Sequence, residues 1–555
     1  MSVIDLYKFP INGYPNRDAK DHPPKFSDLS FNDNDSGIHT MYTGLPFIYN
    51  KDLLKSQNKY YTTYLNTQPK KETRTFITDN TLNCITINTN DCTNFLEQVS
   101  KLNNYLYKKL TSKDLAVFSE PDPVPDPGKK MIAVTQMLSN DSNNSGYIQK
   151  INFRNSDKLF IFGDYHGSFH TFFTNMLRLQ LLGVLNLNTY VINDNYKIIF
   201  LGDIIDRGQH SIEILSIIFN FMLIPENDGK IIFVRGNHED SEQSIKTTIN
   251  FYMEYKSAYP IVKNPNYGID SIFSVFKKLP SALILINTDT NERFWACHGY
   301  IHENNFDDII LQFIESDSLY LIVPPNADNI IFQFKWNDPT HKPISSSNDR
   351  VKGTTTQSKL IGITRLKEFL TKFNISFIIR GHNDNYSNAL LLSKYEFMNE
   401  TGTAFHIPLG LKKYKKKIRA SPESLDYTIE EKKLDEIFDP TLVNTNTTED
   451  TTLPVVTIKV NKDLWINKDY FPVLTISTNT DVGRNLSAGS FVVLHNPETL
   501  LDWNITPENK TLMTTYLDNK NITYSKYLKY SDTNYYKKYI KYKNKYLQLS
   551  KKISI

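Results

Sequence analysis

Cysteine is scarce. The 555-residue chain holds three, Cys84, Cys92 and Cys297, which excludes a disulfide framework and points to a reducing, intracellular setting such as the cytoplasm. Cys297 reads as a buried small apolar residue rather than a metal ligand. Long apolar runs are also missing. The longest, around 214–224, is broken by Ser216 and Asn220; it is too short to cross a bilayer and reads as a buried core helix. The start, Met1-Ser2-Val3-Ile4-Asp5, has no basic segment leading into an apolar one, so no signal peptide is expected. Net charge is small at +3, which gives no whole-molecule signal for nucleic acid or membrane. What is present is 40 % hydrophobic and 13 % aromatic residues, enough for one large α/β domain with substantial additions.

The charge is unevenly spread. Residues 521–555 carry nine Lys and one Asp, a local +8 that leaves −5 for the other 520 residues. In this tail Tyr535, Tyr539, Tyr542, Tyr546, Leu549 and Ile553 recur at spacings of four and three, a heptad-like stripe that predicts a basic helix over 535–553. Its alternatives are docking to an acidic partner, packing on its own domain, or a solvated helix. At the other end, residues 1–150 form an N-terminal extension rich in Asn, Asp, Thr, Lys and Pro. Phe95–Leu110 has helical periodicity, and a proline-rich connector follows at Pro121–Gly128. The extension contains no chemical motif.

From 151 to about 500 strand and helix signals alternate. Apolar runs at Lys158–Phe162, Lys197–Leu201 and Lys230–Val234 are separated by helical stretches at Ser168–Leu182 and Gln209–Leu223. Such β-α-β steps predict a parallel core with right-handed crossovers. Further strands are expected at Ala282–Ile286, Arg293–Cys297, Ile330–Lys335, Ser376–Ile379, Val455–Val460, Val473–Ser477 and Phe491–Leu494, and a helix at Thr364–Phe373. Residues about 395–465 read as an insertion. Its basic run Lys412–Lys417 and acidic Glu430-Glu431 are expected in a solvated loop.

Five motifs fall at predicted strand ends: Gly163-Asp164-Tyr165-His166-Gly167, Gly202-Asp203-Ile204-Ile205-Asp206-Arg207-Gly208, Gly236-Asn237-His238-Glu239, His298-Gly299 and Arg380-Gly381-His382. Open α/β sheets build their sites at the carboxyl ends of strands. Asp164 and His166 lie two apart, so both can turn toward one cation. A carboxylate at Asp203 can bridge two cations roughly 3.5–4 Å apart, and Asn237, His298 and His382 can complete the second site. Mixed oxygen and nitrogen donors without thiolate suit two divalent or trivalent ions such as Mn, Fe or Zn. Such a pair can bring a bridging water toward neutrality and present hydroxide to phosphorus. His238 can supply the leaving-group proton with Asp206 fixing its tautomer, and Arg207 can fork onto phosphate oxygens.

With these motifs the chain resembles the metallo-dependent phosphoprotein phosphatase (PPP) family of serine/threonine phosphatases, in the calcineurin-like superfamily. The resemblance runs over about 157–390 and resumes at 471–495. It is most specific at Leu201–Glu213 and Arg235–Glu239. It implies a β-sandwich of two mixed sheets flanked by helices, with metal ligands Asp164, His166, Asp203, Asn237, His298 and His382, acid His238 with Asp206, and phosphate clamps Arg207 and Arg350. It also implies a phosphorylated protein as substrate. Two departures stand out. The family's His-Gly-Gly-Leu is His298-Gly299-Tyr300-Ile301 here. The family's substrate-groove loop corresponds to Ser477–Asp481, displaced by the insertion, so weak sensitivity to toxins that use that loop is expected. The tail segment Lys541–Leu547 resembles in composition the tails of large DNA virus proteins, and the Asn, Lys, Ile and Tyr bias of the chain suits an AT-rich protist as well. Two other functions fit the motifs. A dinucleoside-polyphosphate or other small phosphoester hydrolase shares them, but Glu239 and the Arg350 context favour the protein phosphatase. A phosphatase-like binding scaffold would not need the full set of ligand, acid and clamp residues.

Overall fold

A computed structural model describes residues 146–382, with breaks at 169–170, 208–210, 241–250, 259–267, 304–305, 324–328 and 349–357 and at a few positions between 173 and 188. It also describes 3–9, 37–40, 46–49, 92–111, 389–393, 397–398, 404–405, 413–419, 427–433, 455–459, 470–478 and 489–496. The basic tail and Arg350 lie outside the described residues, as do the Pro-rich connector and residues 479–481 of the displaced loop.

Strand Lys158–Phe162 shows how the sequence builds layers. Its side chains alternate in direction, yet every residue from Leu159 to Phe162 is buried. Leu159 and Ile161 join an apolar cluster between two sheets. Phe160 and Phe162 join another between the sheet and its helices. A strand covered on both faces must be apolar throughout, which is why the run shows no alternation.

Sheet I has the order Val455–Lys459, Val3–Phe9, Gly489–His495, Lys158–Phe162, Tyr196–Phe200, Ile231–Phe233. The last three are parallel and the others antiparallel. Sheet II has the order Tyr320–Val323, Gly146–Phe153, Ala282–Asn287, Arg293–Cys297, Ile375–Arg380, Tyr470–Ile476, Ala389–Ser393, and it too is mixed. Helices Cys92–Leu110, Ser211–Leu223 and Ile269–Phe276 share the cluster on the outer face of sheet I. Helices Asp307–Glu315, Ile330–Trp336 and Ile363–Lys372 cover sheet II. The expected sandwich of two mixed sheets flanked by helices is what forms. Among the described residues, no helix is long and apolar enough to cross a membrane.

The N-terminal extension contributes to this body. Val3–Phe9 lies between two strands of sheet I. In the 92–110 helix Phe95, Val99, Leu102 and Leu106 are buried, and Phe95 stacks on Phe219 at 6.0 Å.

Two expectations are corrected. Residues 330–335 are helical, not a strand: helix Ile330–Trp336 has Gln333 N donating to Asn329 O and Asn337 N to Gln333 O. The run is buried on every side, Gln333 and Lys335 included, so its polarity pattern carries no period to read. The basic run is also not a loop. Strand Lys413–Arg419 pairs antiparallel with Tyr427–Lys433, with Lys415 opposite Glu431 and Lys416 opposite Glu430.

Candidate active site

Each sheet delivers its polar residues where a strand ends. Lys158–Phe162 runs into Asp164 and His166, Tyr196–Phe200 into Asp203, Asp206 and Arg207, and Ile231–Phe233 into Asn237 and His238. On sheet II, Arg293–Cys297 runs into His298 and Ile375–Arg380 into His382. Ten non-glycine residues among those described have positive φ, and five of them are His166, Asp203, Asp206, Arg207 and His382. Backbone this uncommon costs of order 1–3 kcal/mol per residue and gathers where function demands it. Gly202 (φ +96°) permits one such turn. At Gly381 a Cβ would stand 2.6 Å from Asp164 Oδ1, so only glycine fits.

The turns bind one another. Tyr165 N and His166 N donate to Asp203 O (3.0 and 2.9 Å), and His382 N donates to Asp164 Oδ1 (3.1 Å). Glu239 accepts from Asp203 N, Ile204 N and Gly236 N at 2.8–2.9 Å. Burial, then the Asp203 charge, pushes its pKa up to about 7. The segment after the insertion returns here as well. Gly163 N donates to Thr478 Oγ1 (2.8 Å), and Thr478 N to Asp164 O (3.1 Å).

All the predicted ligands are buried, and they converge. Donor atoms of His166, Asp203 and His238 lie within 4.8 Å of one another, as do those of Asp203, His298 and His382. Asp203 belongs to both groups. Asn237 Oδ1 is 2.8 Å from both His298 Nε2 and His382 Nδ1, and His298 Nε2 is 3.2 Å from Asp203 Oδ2. Asp164 sits beside both groups, its Oδ2 3.9 Å from His166 Nε2 and its Oδ1 3.9 Å from His298 Nδ1.

The donor chemistry fits a pair of cations. His166 Nδ1 is 3.0 Å from Ile205 O, and His298 Nδ1 is 3.0 Å from Leu201 O. A carbonyl only accepts, so each Nδ1 carries a proton and each Nε2 can present its lone pair to the site. Burial opposes charge on His298, but the Asp203 carboxylate outweighs it and pushes the imidazole up to about 9. Asp203 is held well below the usual carboxylate range, with burial opposing and His298 and then His238 dominating. The acceptor cluster therefore attracts positive charge, and a proton on His298 competes with a metal for the same nitrogen.

His238 is placed differently. Its Nδ1 is 2.8 Å from Asp206 Oδ2, and its Nε2 is 3.8 Å from Asp203 Oδ2. Asp206 also accepts from Phe251 N at 2.6 Å, which fixes the carboxylate and through it the ring. Burial works against the charged form of His238, but Asp203 and Asp206 raise its pKa. Arg207 is near enough to lower it in part.

Sequence reasoning assigned no role to the supporting residues. Arg380 is fully buried and contacts Gly299 O and Asp338 Oδ1, the latter at 2.8 Å. The Trp336 ring meets the edge of His382 at 5.6 Å. Asp240 lies between Arg235 and Lys335. Arg380 stands inside the fifth motif, and Arg235 and Asp240 flank the third; Trp336 and Asp338 fall in Trp336-Asn337-Asp338-Pro339, a stretch to which the family resemblance draws attention, and nothing in the sequence marked Lys335.

Residues 158–385 match the Calcineurin-like phosphoesterase family. The chain is similar to a probable serine/threonine-protein phosphatase of Encephalitozoon cuniculi, 26 % identical over 232 residues, covering 41 % of this chain and 42 % of that protein. It is similar also to serine/threonine-protein phosphatase rdgC of Drosophila melanogaster, 26 % identical over 236 residues, covering 41 % and 32 %. The chain thus spans less than half the length of either relative. A solved protein serine/threonine phosphatase from Saccharomyces cerevisiae, with similarity to human phosphatase PP5, overlaps 55 % of this chain and 90 % of its own at 18 % identity, with a TM-score of 0.34. Its overlap is too loose to argue from. The sequence match and the turns gathered around Asp203 together identify residues 158–385 as a calcineurin-like phosphoesterase domain.

Proposed function

We propose that the chain is a metal-dependent serine/threonine protein phosphatase that hydrolyses phosphomonoesters on proteins. The observation that carries this reading is Asp203 shared between two donor groups, with the Asp206-held His238 beside it. Asp164, His166, Asp203, Asn237, His298 and His382 would hold two ions, of Mn, Fe or Zn. When bound, such a pair supplies the Lewis acidity that activates the attacking water and neutralises phosphoryl oxygens. His238 carries its proton on Nε2, facing the site, and delivers it to the leaving serine or threonine oxygen. Asp206 accepts the proton on Nδ1 and so favours the charged ring, which carries its second proton on Nε2. Arg207 forks onto phosphate oxygens. A second clamp is assigned to Arg350. The serine/threonine substrate class is supported by what the similar proteins are named.

The test is hydrolysis of a phosphothreonine peptide with added Mn²⁺, with a dinucleoside polyphosphate assayed in parallel. Activity on the peptide, lost in Asp203→Asn and His238→Ala, is the expected result. A strong preference for the nucleotide would replace the protein substrate with a small phosphoester.

A further inference from the structure

Three charged groups lie buried together beside the site and take no part in the chemistry above. Arg235 Nη2 is 2.5 Å from Asp240 Oδ1, and Lys335 Nζ is 2.6 Å from Asp240 Oδ2. Relative exposures are 1 % for Arg235, 2 % for Asp240 and 0 % for Lys335. Taking three charges out of water is costly, and a buried ion pair gives little net stability over apolar residues of the same volume. Burial and then the Arg235 charge pull the Lys335 amine down to about 8, with Asp240 opposing the fall. Stability is a weak explanation for this cluster, and its position offers a better one.

Asp240 ends the turn that carries Asn237 and His238. Lys335 belongs to helix Ile330–Trp336, which meets His382 and the residue after His298. Gly299 N, next to His298, donates to Phe334 O at 2.7 Å. A Cβ on Gly299 would collide with the Lys335 backbone. The neighbouring Trp336 ring lies against His382. The Asp240–Lys335 pair is thus a direct side-chain tie between the turn supplying Asn237 and the helix supporting His298 and His382. These three are the residues whose donor atoms crowd within 3.2 Å of one another.

We propose that Asp240 and Lys335 are positioning residues for the metal position built from Asn237, His298 and His382, setting its affinity by fixing the sheet I turn against the sheet II helix. The assignment rests on the two-metal reading above. The ion pair holds the turn and helix in register. Without it the apolar contacts remain, but the amide oxygen and the two imidazoles lose their mutual geometry.

The experiment is calorimetric titration of the full chain with Mn²⁺, alongside thermal unfolding and phosphothreonine-peptide kinetics. Lys335→Met keeps the volume and leaves Asp240 paired with Arg235. It should bind one of two Mn²⁺ ions about 10–100-fold more weakly, the usual range for partners behind metal ligands. Its unfolding midpoint should stay near that of the wild type. At saturating Mn²⁺ kcat should fall more than KM rises, and Lys335→Arg, which retains the charge, should recover affinity. Asp240→Asn should lose more affinity than Lys335→Met. A folded Lys335→Met with wild-type Mn²⁺ affinity would overturn the proposal. Unfolding of both Lys335→Met and Asp240→Asn would overturn it too, by making the triad a stability element. If the wild type binds two Mn²⁺ without hydrolysing the peptide, the phosphatase reading fails while the calorimetric comparison still decides the positioning role.

Discussion

On sheet I, Asp164, His166, Asp203, Asn237 and His238 sit in turns that bind each other through backbone amides and the single carboxylate of Glu239. On sheet II, His298 and His382 follow ordinary strands and lean on side chains from far along the chain: Trp336, Arg380 and the helix bearing Lys335. Four of the five left-handed site residues, His166, Asp203, Asp206 and Arg207, lie in the sheet I turns. The sheet I half stores its geometry in local backbone. The sheet II half borrows its geometry from tertiary packing. Asp203 joins them, since it belongs to both donor groups.

The largest effect should come from breaking that joint. Asp203→Asn removes the shared charge from both groups, and hydrolysis with Mn²⁺ should fall by about a thousandfold or more. Mn²⁺ binding should weaken at both positions. If one position kept full affinity, the two halves would be independent metal sites. His238→Ala should cost about 10²–10⁴-fold in kcat, the usual range for a positioned acid, with both Mn²⁺ ions retained. Loss of one ion in that variant would make His238 a ligand instead, a role its place in the first donor group allows.

The same contrast governs what the sequence revealed. Sheet I motifs are contiguous because each turn needs its glycine and its polar side chains within a few residues, so a short window contains the whole device. His298 and His382 are single residues whose meaning depends on partners over 80 positions away in some cases. They were legible only because the other motifs were present. Lys335 and Asp240 could not be paired from sequence, since 95 residues separate them and the run around Lys335 read as a strand. The individual strands were legible as apolar runs, while their arrangement as two mixed sheets came only from the family resemblance. The part played by Val3–Phe9 was not, because a strand near the N-terminus that joins a sheet across nearly 490 residues leaves no local trace.

Arg380 tests how far the sheet II half depends on packing. Arg380→Met should leave Asp338 buried without its cation and destabilise the fold by about 3–5 kcal/mol. Hydrogen exchange should show the loss first in the 375–380 strand and the 330–336 helix, while amides of the 158–162 strand keep more of their protection. Uniform loss across both sheets would mean that the halves unfold as one unit.

Acid should separate the two halves more gently. Helices Asp307–Glu315 and Ile363–Lys372 cover sheet II and are joined by Arg365, whose Nη1 and Nη2 donate to Asp307 at 2.9 and 2.6 Å. Arg365 Nε donates to His302 O, four residues after His298, at 3.1 Å. Burial opposes charge on Asp307, but His302 and Arg365 hold its pKa down at about 2. The folded value lies below the unfolded one, so the stability it contributes is complete above about pH 4 and is lost as pH falls toward 2, a total of about 2 kcal/mol. Between pH 4.5 and 2.5, amides of the 363–372 helix should lose protection before those of the 211–223 helix on sheet I. Asp307→Asn should remove that difference, being already weakened at neutral pH and flatter below it. Equal acid loss on both sheets would show that the contrast between backbone-held and packing-held halves does not extend to their outer layers.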